Sequence, residues 1–177
     1  MANNSLIIGL GSKAQIGKDY AASQLKNYFD VERVAFADEL KNDLRFLFSK
    51  NGFDFDMLMS EPSLKSKARP LLVSYGQVMR EFNPDIWITR ALKEKTLTHQ
   101  VTVVTDVRFP NEAKILKELG GYYVEILSDV PPANDTEAYY SPLMEGLADF
   151  KIKNNFDGQF VSDMVKLVNQ LLENKNI

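Results

Sequence analysis

The sequence predicts an α/β fold in which a central parallel sheet of about five strands carries helices on both faces. Two observations lead to this fold class. Short apolar runs alternate with segments of helical periodicity along the 177 residues, an order typical of parallel strands joined by helices. The first apolar run also leads into a glycine-containing loop that precedes a helical segment, and open parallel sheets bind their ligands at such strand ends.

The elements follow from hydrophobic period and from helix start and stop signals. Strands are expected at residues 6–10, 31–36, 101–106, 122–127 and 150–154, the last at an edge, and helices at residues 17–29, 38–50, 110–119 and 159–172. Residues 53–98 are predicted to form short helices, separated at Pro62, Pro70 and Pro84, that cap one side of the sheet. Residues 128–146 are expected to be a mobile loop with one helical turn. We therefore expect one domain, residues 1–177, with a helical insert at 53–98 and a lid-like loop at 128–146.

The loop after the first strand is typical of phosphate-binding loops. Its backbone N–H groups and the positive end of the next helix could surround a polyphosphate, while Lys18 reaches the transferred group and Lys13 lies on the rim. An ordinary strand-to-helix turn with a surface lysine is the alternative. Asp19 could hold hydrated Mg²⁺, or it could be an acidic helix start stabilised by the helix dipole. The candidate ATP-binding residues are Gly11, Ser12, Lys13, Ala14, Gln15, Ile16, Gly17, Lys18, Asp19 and Tyr20.

A second candidate site lies at the end of the third predicted strand. Asp106 and Arg108 fall at the carboxyl end of that strand, where parallel sheets bind ligands. Asp106 could hold Mg²⁺ through water, and Arg108 could bind a phosphate with two hydrogen bonds. An Asp–Arg pair that caps the following helix is the alternative.

Other candidates lie between the second and third strands. Asp38 and Lys41 are one helical turn apart, although a helix cap and a solvated lysine would explain them equally. The segment from 69 to 80 could supply phosphate-binding arginines and an amide for a base edge, through Arg69, Tyr75, Gly76, Gln77 and Arg80. Trp87 is predicted to be a core residue, and His99, the one histidine, is assigned no role.

Composition excludes several classes of protein. The chain has no cysteine, so it can form neither a disulfide framework nor a thiolate metal site. It lacks an apolar run of ~20 residues and a signal-peptide pattern, so we expect a cytoplasmic protein without membrane contact. A formal net charge of −3 argues against a nucleic-acid polymer as partner, whereas a free nucleotide needs only a local basic pocket. Both a monomer and a homodimer are compatible with the apolar helical faces.

Six segments occur in one order: Gly17-Lys18-Asp19, Phe36-Ala37-Asp38-Glu39-Leu40-Lys41, Gly76 to Arg80, Asp85-Ile86-Trp87, Asp106-Val107-Arg108-Phe109-Pro110-Asn111-Glu112 and Leu119-Gly120-Gly121. Together they resemble the bacteriophage-type deoxynucleoside monophosphate kinases over nearly the whole chain, and the phosphomevalonate kinases of animals look like distant relatives of this group. The resemblance implies a phosphate-loop NTPase kinase fold and ATP- and Mg²⁺-dependent transfer to a phosphate acceptor. It implies that Lys13, Gly17, Lys18 and Asp19 belong to the ATP loop, and that Lys41, Arg69, Arg80 and Arg108 are basic acceptor-site positions.

Two features depart from this pattern. Ser12 stands where the loop's first glycine is expected, and residues 128–149 contain no Lys or Arg, although such kinases often carry a basic lid residue there. The segment instead carries the carboxylates Asp129, Asp135, Glu137 and Glu145. Stabilisation of the transition state would therefore depend on Lys13, Lys18, Arg80 and Arg108.

The hypothesis from sequence is transfer of the ATP γ-phosphoryl group to a (deoxy)nucleoside monophosphate. The acceptor phosphate, with a second pKa of ~6, needs no general base at neutral pH. Kinases that phosphorylate phosphomevalonate or a hydroxyl on a DNA base are alternatives within the same fold, the latter with Asp38 as the candidate base. A nucleotide-binding regulator that transfers no phosphate is the alternative outside enzymes.

Overall fold

The computed structural model describes residues 5–11, 13–93, 97–132 and 135–175, and of residues 135–137 the backbone only. Five strands and eight helices are assigned in these ranges. In chain order they are β1 Leu6–Gly11, α1 Lys18–Leu25, β2 Val31–Val34, α2 Phe36–Lys50, α3 Phe55–Ser60, α4 Pro62–Phe82, α5 Ile86–Ile88 with a π-helical continuation Thr89–Lys93, β3 Val101–Val107, α6 Pro110–Glu118, β4 Tyr122–Leu127, α7 Asp135–Glu145, β5 Phe150–Lys153 and α8 Gln159–Lys175.

The five strands form one parallel sheet with the order β2-β3-β1-β4-β5. The central strand β1 pairs with β3 on one side, where Leu6 is opposite Val101, and with β4 on the other, where Leu10 is opposite Val124. All six residues of β1 are buried, as expected for a strand covered on both faces. The predicted fold class is confirmed, and β5 is the predicted edge strand.

Helices cover both faces of the sheet. On one face, β1 residues Leu6, Ile8 and Leu10 share a core cluster with apolar side chains of α1 and α8. The intervening residue Gly9 points to the opposite face, where a Cβ would overlap Leu116 of α6 and lie 2.8 Å from Val107. The absence of a side chain at Gly9 therefore lets Leu116 of α6 pack closely against the sheet. Among the described residues, no helix is both long and apolar enough to cross a membrane.

The chain divides into two compact units. One contains the sheet and comprises Met1–Ala35 and Lys95–Ile177, and the other is the helical unit Phe36–Glu94. Trp87, the predicted core tryptophan, is 2% exposed in the helical unit, next to Tyr75 with 6.0 Å between the ring centroids. The single domain with an insert at 53–98 stays a prediction.

Proline does not divide the helical segment as predicted. Pro62 is at the start of α4 and Pro84 follows its end, but Pro70 lies inside this 21-residue helix. Pro70 is exposed, so water can satisfy the carbonyl that loses its N–H partner, and the long helix tolerates the lost bond. The prediction of a break at Pro70 was wrong.

The segment predicted as a mobile loop with one helical turn contains an 11-residue helix, α7. Its stability comes from tertiary contacts that local sequence does not encode: Met144 is 3% exposed, and the ring of Tyr140 packs edge-on against Phe109 at 4.7 Å between centroids. Pro142 lies inside the helix, which explains why turn propensity misled the prediction.

Candidate active site

The predicted phosphate loop joins the carboxyl end of β1 to the start of α1. Gly17 precedes α1 with a left-handed φ of 87°, and Gln15 is also left-handed at 60°. Ile16 is fully buried in the core cluster and anchors the loop to the sheet. Left-handed residues next to right-handed ones can direct neighbouring backbone N–H groups to the same side of a loop, and anion-binding loops use this arrangement.

The two lysines of the loop have different surroundings. Lys18 is 7% exposed, and its Nζ donates a hydrogen bond to the carbonyl oxygen of Lys13. Lys13 is half-buried, and its own Nζ donates to the carbonyl oxygens of Val130 at 2.7 Å and Ser128 at 3.4 Å. Lys13 therefore links the loop to the segment that leaves β4, whereas the Lys18 ammonium lies inside the loop's own turn.

Asp19 follows Lys18 and is the centre of a small polar cluster. Its Oδ1 accepts hydrogen bonds from Arg33 Nε at 2.8 Å and from Thr105 Oγ1 at 2.9 Å. Partial desolvation would raise the pKa of Asp19, but the hydrogen bonds from Arg33 and Thr105 and the charges of Arg33 and Lys18 outweigh it and lower the pKa. The carboxylate is thus ionised and oriented at the start of α1.

The remaining loop positions complete the predicted ATP-binding set. Gly11 ends β1, and a Cβ there would overlap the ring and hydroxyl of Tyr123, so only glycine fits. Ala14 is half-buried, and Tyr20 is 55% exposed. Ser12 lies outside the described residues.

At the end of β3, Asp106 is half-buried and Arg108 is exposed. The backbone N–H groups of Arg108 and Phe109 both donate to Glu112 Oε2, at 2.8 and 3.1 Å, so Glu112 caps the start of α6. This carboxylate, 4% exposed, performs the capping role considered for the Asp106–Arg108 pair. The Arg108 side chain projects from a backbone that Glu112 holds in place.

The predicted acceptor residues of the helical unit have partners within that unit. Lys41 Nζ donates to Asp38 Oδ1 at 2.8 Å, and the Tyr75 hydroxyl donates to Asp43 Oδ2 at 3.0 Å. The Gly76 carbonyl accepts from Arg80 at 3.2 Å. Arg69 and Gln77 are exposed on α4.

Sequence reasoning missed the ion pair at the centre of this unit. Arg90 donates to both carboxylate oxygens of Asp43, at 2.6 and 2.8 Å, and lies 3.6 Å from Glu39. The hydrogen bonds from Arg90 lower the pKa of Asp43. No short-range pattern signals a pair 47 residues apart.

Sequence reasoning also missed Asn154, which follows β5 and is 5% exposed. Its Nδ2 donates to the carbonyl oxygen of Ile16 in the phosphate loop at 3.0 Å. A polar residue directly after a parallel strand was the available signal. Beside it lies a cavity of about 270 Å³ lined by Ser128, Asp129, Val130, Asn154, Asn155 and Phe156.

Metal-binding capacity in the site is limited. Within the described ranges, no group of three or more His, Asp or Glu side chains could hold a metal ion. Mg²⁺ bound mainly by phosphate oxygens and water needs only one or two carboxylates, and Asp19 and Asp106 are the predicted pair.

A parallel sheet whose central strand leads through a left-handed Gly-Lys turn into a helix defines the class of P-loop kinases. The family model for phosphomevalonate kinase matches residues 10–121. The chain therefore belongs to the phosphomevalonate kinase family.

Solved structures of two kinases are similar at low identity. Shikimate kinase from Acinetobacter baumannii, in complex with shikimate, has 13% identity and a TM-score of 0.49, with 98% of this chain and 96% of that chain covered. Dephospho-CoA kinase from Campylobacter jejuni has 13% identity and a TM-score of 0.46, with 98% and 99% covered. Because both TM-scores are below 0.5, these two similarities assign neither the class nor the family of this chain. Comparison with curated protein sequences finds no significant match.

Proposed function

We propose that this P-loop kinase transfers the γ-phosphoryl group of ATP to the phosphate of a small phosphorylated metabolite. The observation that carries the proposal is the placement of Lys18: a nearly buried ammonium directly after left-handed Gly17, at the positive end of α1. An ammonium at this place, next to the N–H groups of a helix start, can bind a polyphosphate with charge-assisted hydrogen bonds. The family match and the strand–loop–helix order support the same role.

The proposed phosphate-binding residues have distinct tasks. Lys18 contacts the β- and γ-phosphates, and the N–H groups of residues 11–20 surround them. Lys13 adds positive charge at the rim if its Nζ exchanges the carbonyls of Val130 and Ser128 for phosphate oxygens. Asp19 and Asp106 would hold Mg²⁺ through water, and the ion would neutralise charge on the transferred group.

We place the base of ATP in the cavity beside Asn154. Lys13 joins the phosphate loop to one wall, at Ser128 and Val130, and Asn154 joins it to the other. The cavity therefore adjoins the loop at the carboxyl ends of β4 and β5, where parallel sheets bind ligands.

We assign the acceptor phosphate to Arg108 at the end of β3. Arg108 is exposed at a strand end and its backbone is fixed by Glu112, so its guanidinium can bind a phosphate with two hydrogen bonds. Asp38, Lys41, Arg69, Tyr75, Gly76, Gln77 and Arg80 remain proposed acceptor residues. Lys41 and Tyr75 hydrogen-bond to carboxylates, and Arg80 hydrogen-bonds to the Gly76 carbonyl.

Two acceptors are candidates. Phosphomevalonate is favoured by the family match over residues 10–121. A (deoxy)nucleoside monophosphate is favoured by the sequence resemblance to the phage-type kinases, which extends over nearly the whole chain. Either acceptor carries a phosphate with a second pKa of ~6, so positioning and charge neutralisation suffice and no general base is needed.

A matched acceptor panel tests the proposal. With ATP and Mg²⁺, ADP release is measured for phosphomevalonate and the nucleoside monophosphates, and for mevalonate and the nucleosides as unphosphorylated controls. We expect turnover with at least one phosphorylated compound and none with its control. Turnover with an alcohol alone would contradict a phosphate acceptor, and ATP binding without turnover on any acceptor would identify a nucleotide-binding regulator.

A further inference from the structure

We propose that Asn154 is a positioning residue for polyphosphate, because it fixes the orientation of the Ile16–Gly17 peptide in the phosphate loop. The inference rests on the proposed function, since it concerns how that loop binds the phosphates of a nucleotide. Asn154 lies 138 positions from Ile16 in the chain, at the first position after β5.

Three hydrogen bonds hold Asn154 in place, and two of them position its backbone and its side-chain amide. Its backbone N–H donates to Leu127 at the end of β4 at 2.9 Å, and its Oδ1 accepts from the N–H of Phe156 at 2.8 Å. These bonds fix the side-chain amide, which leaves Nδ2 directed at the Ile16 carbonyl, 3.0 Å away. The donor is therefore pre-oriented and almost completely shielded from water.

The bond to Ile16 controls a neighbouring donor. In a trans peptide the C=O and the following N–H point in opposite directions, so fixing the Ile16 carbonyl toward Asn154 fixes the Gly17 N–H away from it. Gly17 is the N-cap of α1, and N–H groups at a helix start have no acceptor within the helix, so they can bind an anion. Without Asn154 this peptide could rotate, and the loop would lose part of its preorganisation before phosphate binds.

Gly17 and Asn154 are also matched in shape. A Cβ at position 17 would lie 2.8 Å from Nδ2 of Asn154, and φ of 87° is unfavourable for any other residue. The amide thus occupies the space that the missing side chain leaves. An apolar residue of similar volume at position 154 would fill this space but could not fix the carbonyl.

Two variants with matched controls test the role. Asn154→Leu removes the donor without adding charge, and Asn154→Asp keeps the acceptor for Phe156 N–H but presents an oxygen to the Ile16 carbonyl. Asn169→Leu and Asn169→Asp make the same changes at an exposed position on α8. Calorimetry measures Kd for Mg-tripolyphosphate and MgADP, and thermal unfolding checks that each variant is folded.

We expect Kd for both ligands to rise tenfold or more in folded Asn154 variants and to stay within twofold in the Asn169 controls. KM for ATP should rise in parallel while kcat changes less, as for an interaction made equally in ground and transition states. Unchanged Kd values in folded Asn154 variants, equal losses in the controls, or failure of both Asn154 variants to fold would overturn the proposal.

The same binding experiment distinguishes failure of the Asn154 inference from failure of the proposed function. If the unmodified chain binds tripolyphosphate and only the Asn154 variants lose it, the inference stands whether or not any acceptor is phosphorylated. If the unmodified chain does not bind tripolyphosphate, the proposed function and this inference both fail.

Discussion

At the scale of single residues, Lys18 combines a positive charge with near-complete burial. Lysine is among the residues least often buried, because its ammonium loses hydration and needs compensating partners. A lysine kept 7% exposed beside a left-handed glycine has two explanations, a binding site for an anionic ligand or a contribution to stability.

Replacement of Lys18 separates these explanations. We expect Lys18→Ala to lower kcat by about 10²–10³-fold, because a donor to the transferred phosphoryl group is lost, with little loss of thermal stability. Lys26→Ala removes the same charge from the exposed end of α1 and should leave kcat unchanged. Similar kinetic losses in both variants would contradict a local role for Lys18.

Arg108 tests the acceptor assignment. Arg108→Ala should reduce kcat/KM for the acceptor about a hundredfold or more, because it removes a guanidinium bound to phosphate. Lys114→Ala, an exposed cation on α6, is the control. A nearly normal rate for Arg108→Ala would remove this residue from the acceptor site.

His99, which sequence reasoning left without a role, pairs with Asp30 at 2.8 Å between Nδ1 and Oδ1. The hydrogen bond that the protonated ring donates to the Asp30 carboxylate raises the pKa of His99. Its contribution to stability is therefore complete below the unfolded-state pKa of ~6.5 and is lost as the pH rises through the higher folded-state pKa. Because the chain has one histidine, a single NMR titration measures this pKa. We expect Asp30→Asn to lower it, and an unchanged midpoint would contradict the pairing.

At the scale of secondary-structure elements, the start of α6 depends on Glu112. Two backbone N–H groups share its Oε2, and the carboxylate is buried. We expect Glu112→Ala to lower the free energy of unfolding by about 1–2 kcal/mol, measured by urea titration, because both donors lose their partner. Glu118→Ala, in an exposed position at the other end of α6, should cost less.

The elements that sequence predicts well are those with a local signal. Strands β1, β3 and β4 are largely buried runs, β5 alternates apolar and charged residues, and the phosphate loop is a contiguous segment. Hydrophobic periodicity and turn residues therefore predict them. Continuation of α4 through Pro70 and formation of α7 depend on exposure and on contacts such as Phe109–Tyr140, which lie outside any sequence window. For the same reason Asn154 and the Asp43–Arg90 pair emerge only from the structure.

At the scale of the whole molecule, acid should destabilise the fold in part through Asp43. The hydrogen bonds from Arg90 lower its pKa, so its contribution to stability is present above the unfolded-state pKa and is lost as the pH falls through the lower folded-state pKa. Asp43→Asn should therefore lower the free energy of unfolding near neutral pH. The difference in this free energy between the variant and the unmodified chain should shrink below about pH 4.

Urea unfolding across this pH range measures the effect. Asp129→Asn removes the same charge from a side chain that is 96% exposed, so it should change stability little at any pH. If the free energies of unfolding of Asp43→Asn and the unmodified chain differ by the same amount at every pH, a lowered pKa at Asp43 is contradicted.

The order of the strands also constrains how the chain can fold during synthesis. Both neighbours of β1 come late in the sequence: Val101, the partner of Leu6, follows it by 95 positions, and β4 follows later still. At about 5–20 residues per second, the ribosome takes roughly 5–20 s to supply the first of them. Throughout that interval an apolar strand leaves the exit tunnel with both edges unpaired, so β1 is the segment that nascent-chain chaperones must protect from aggregation.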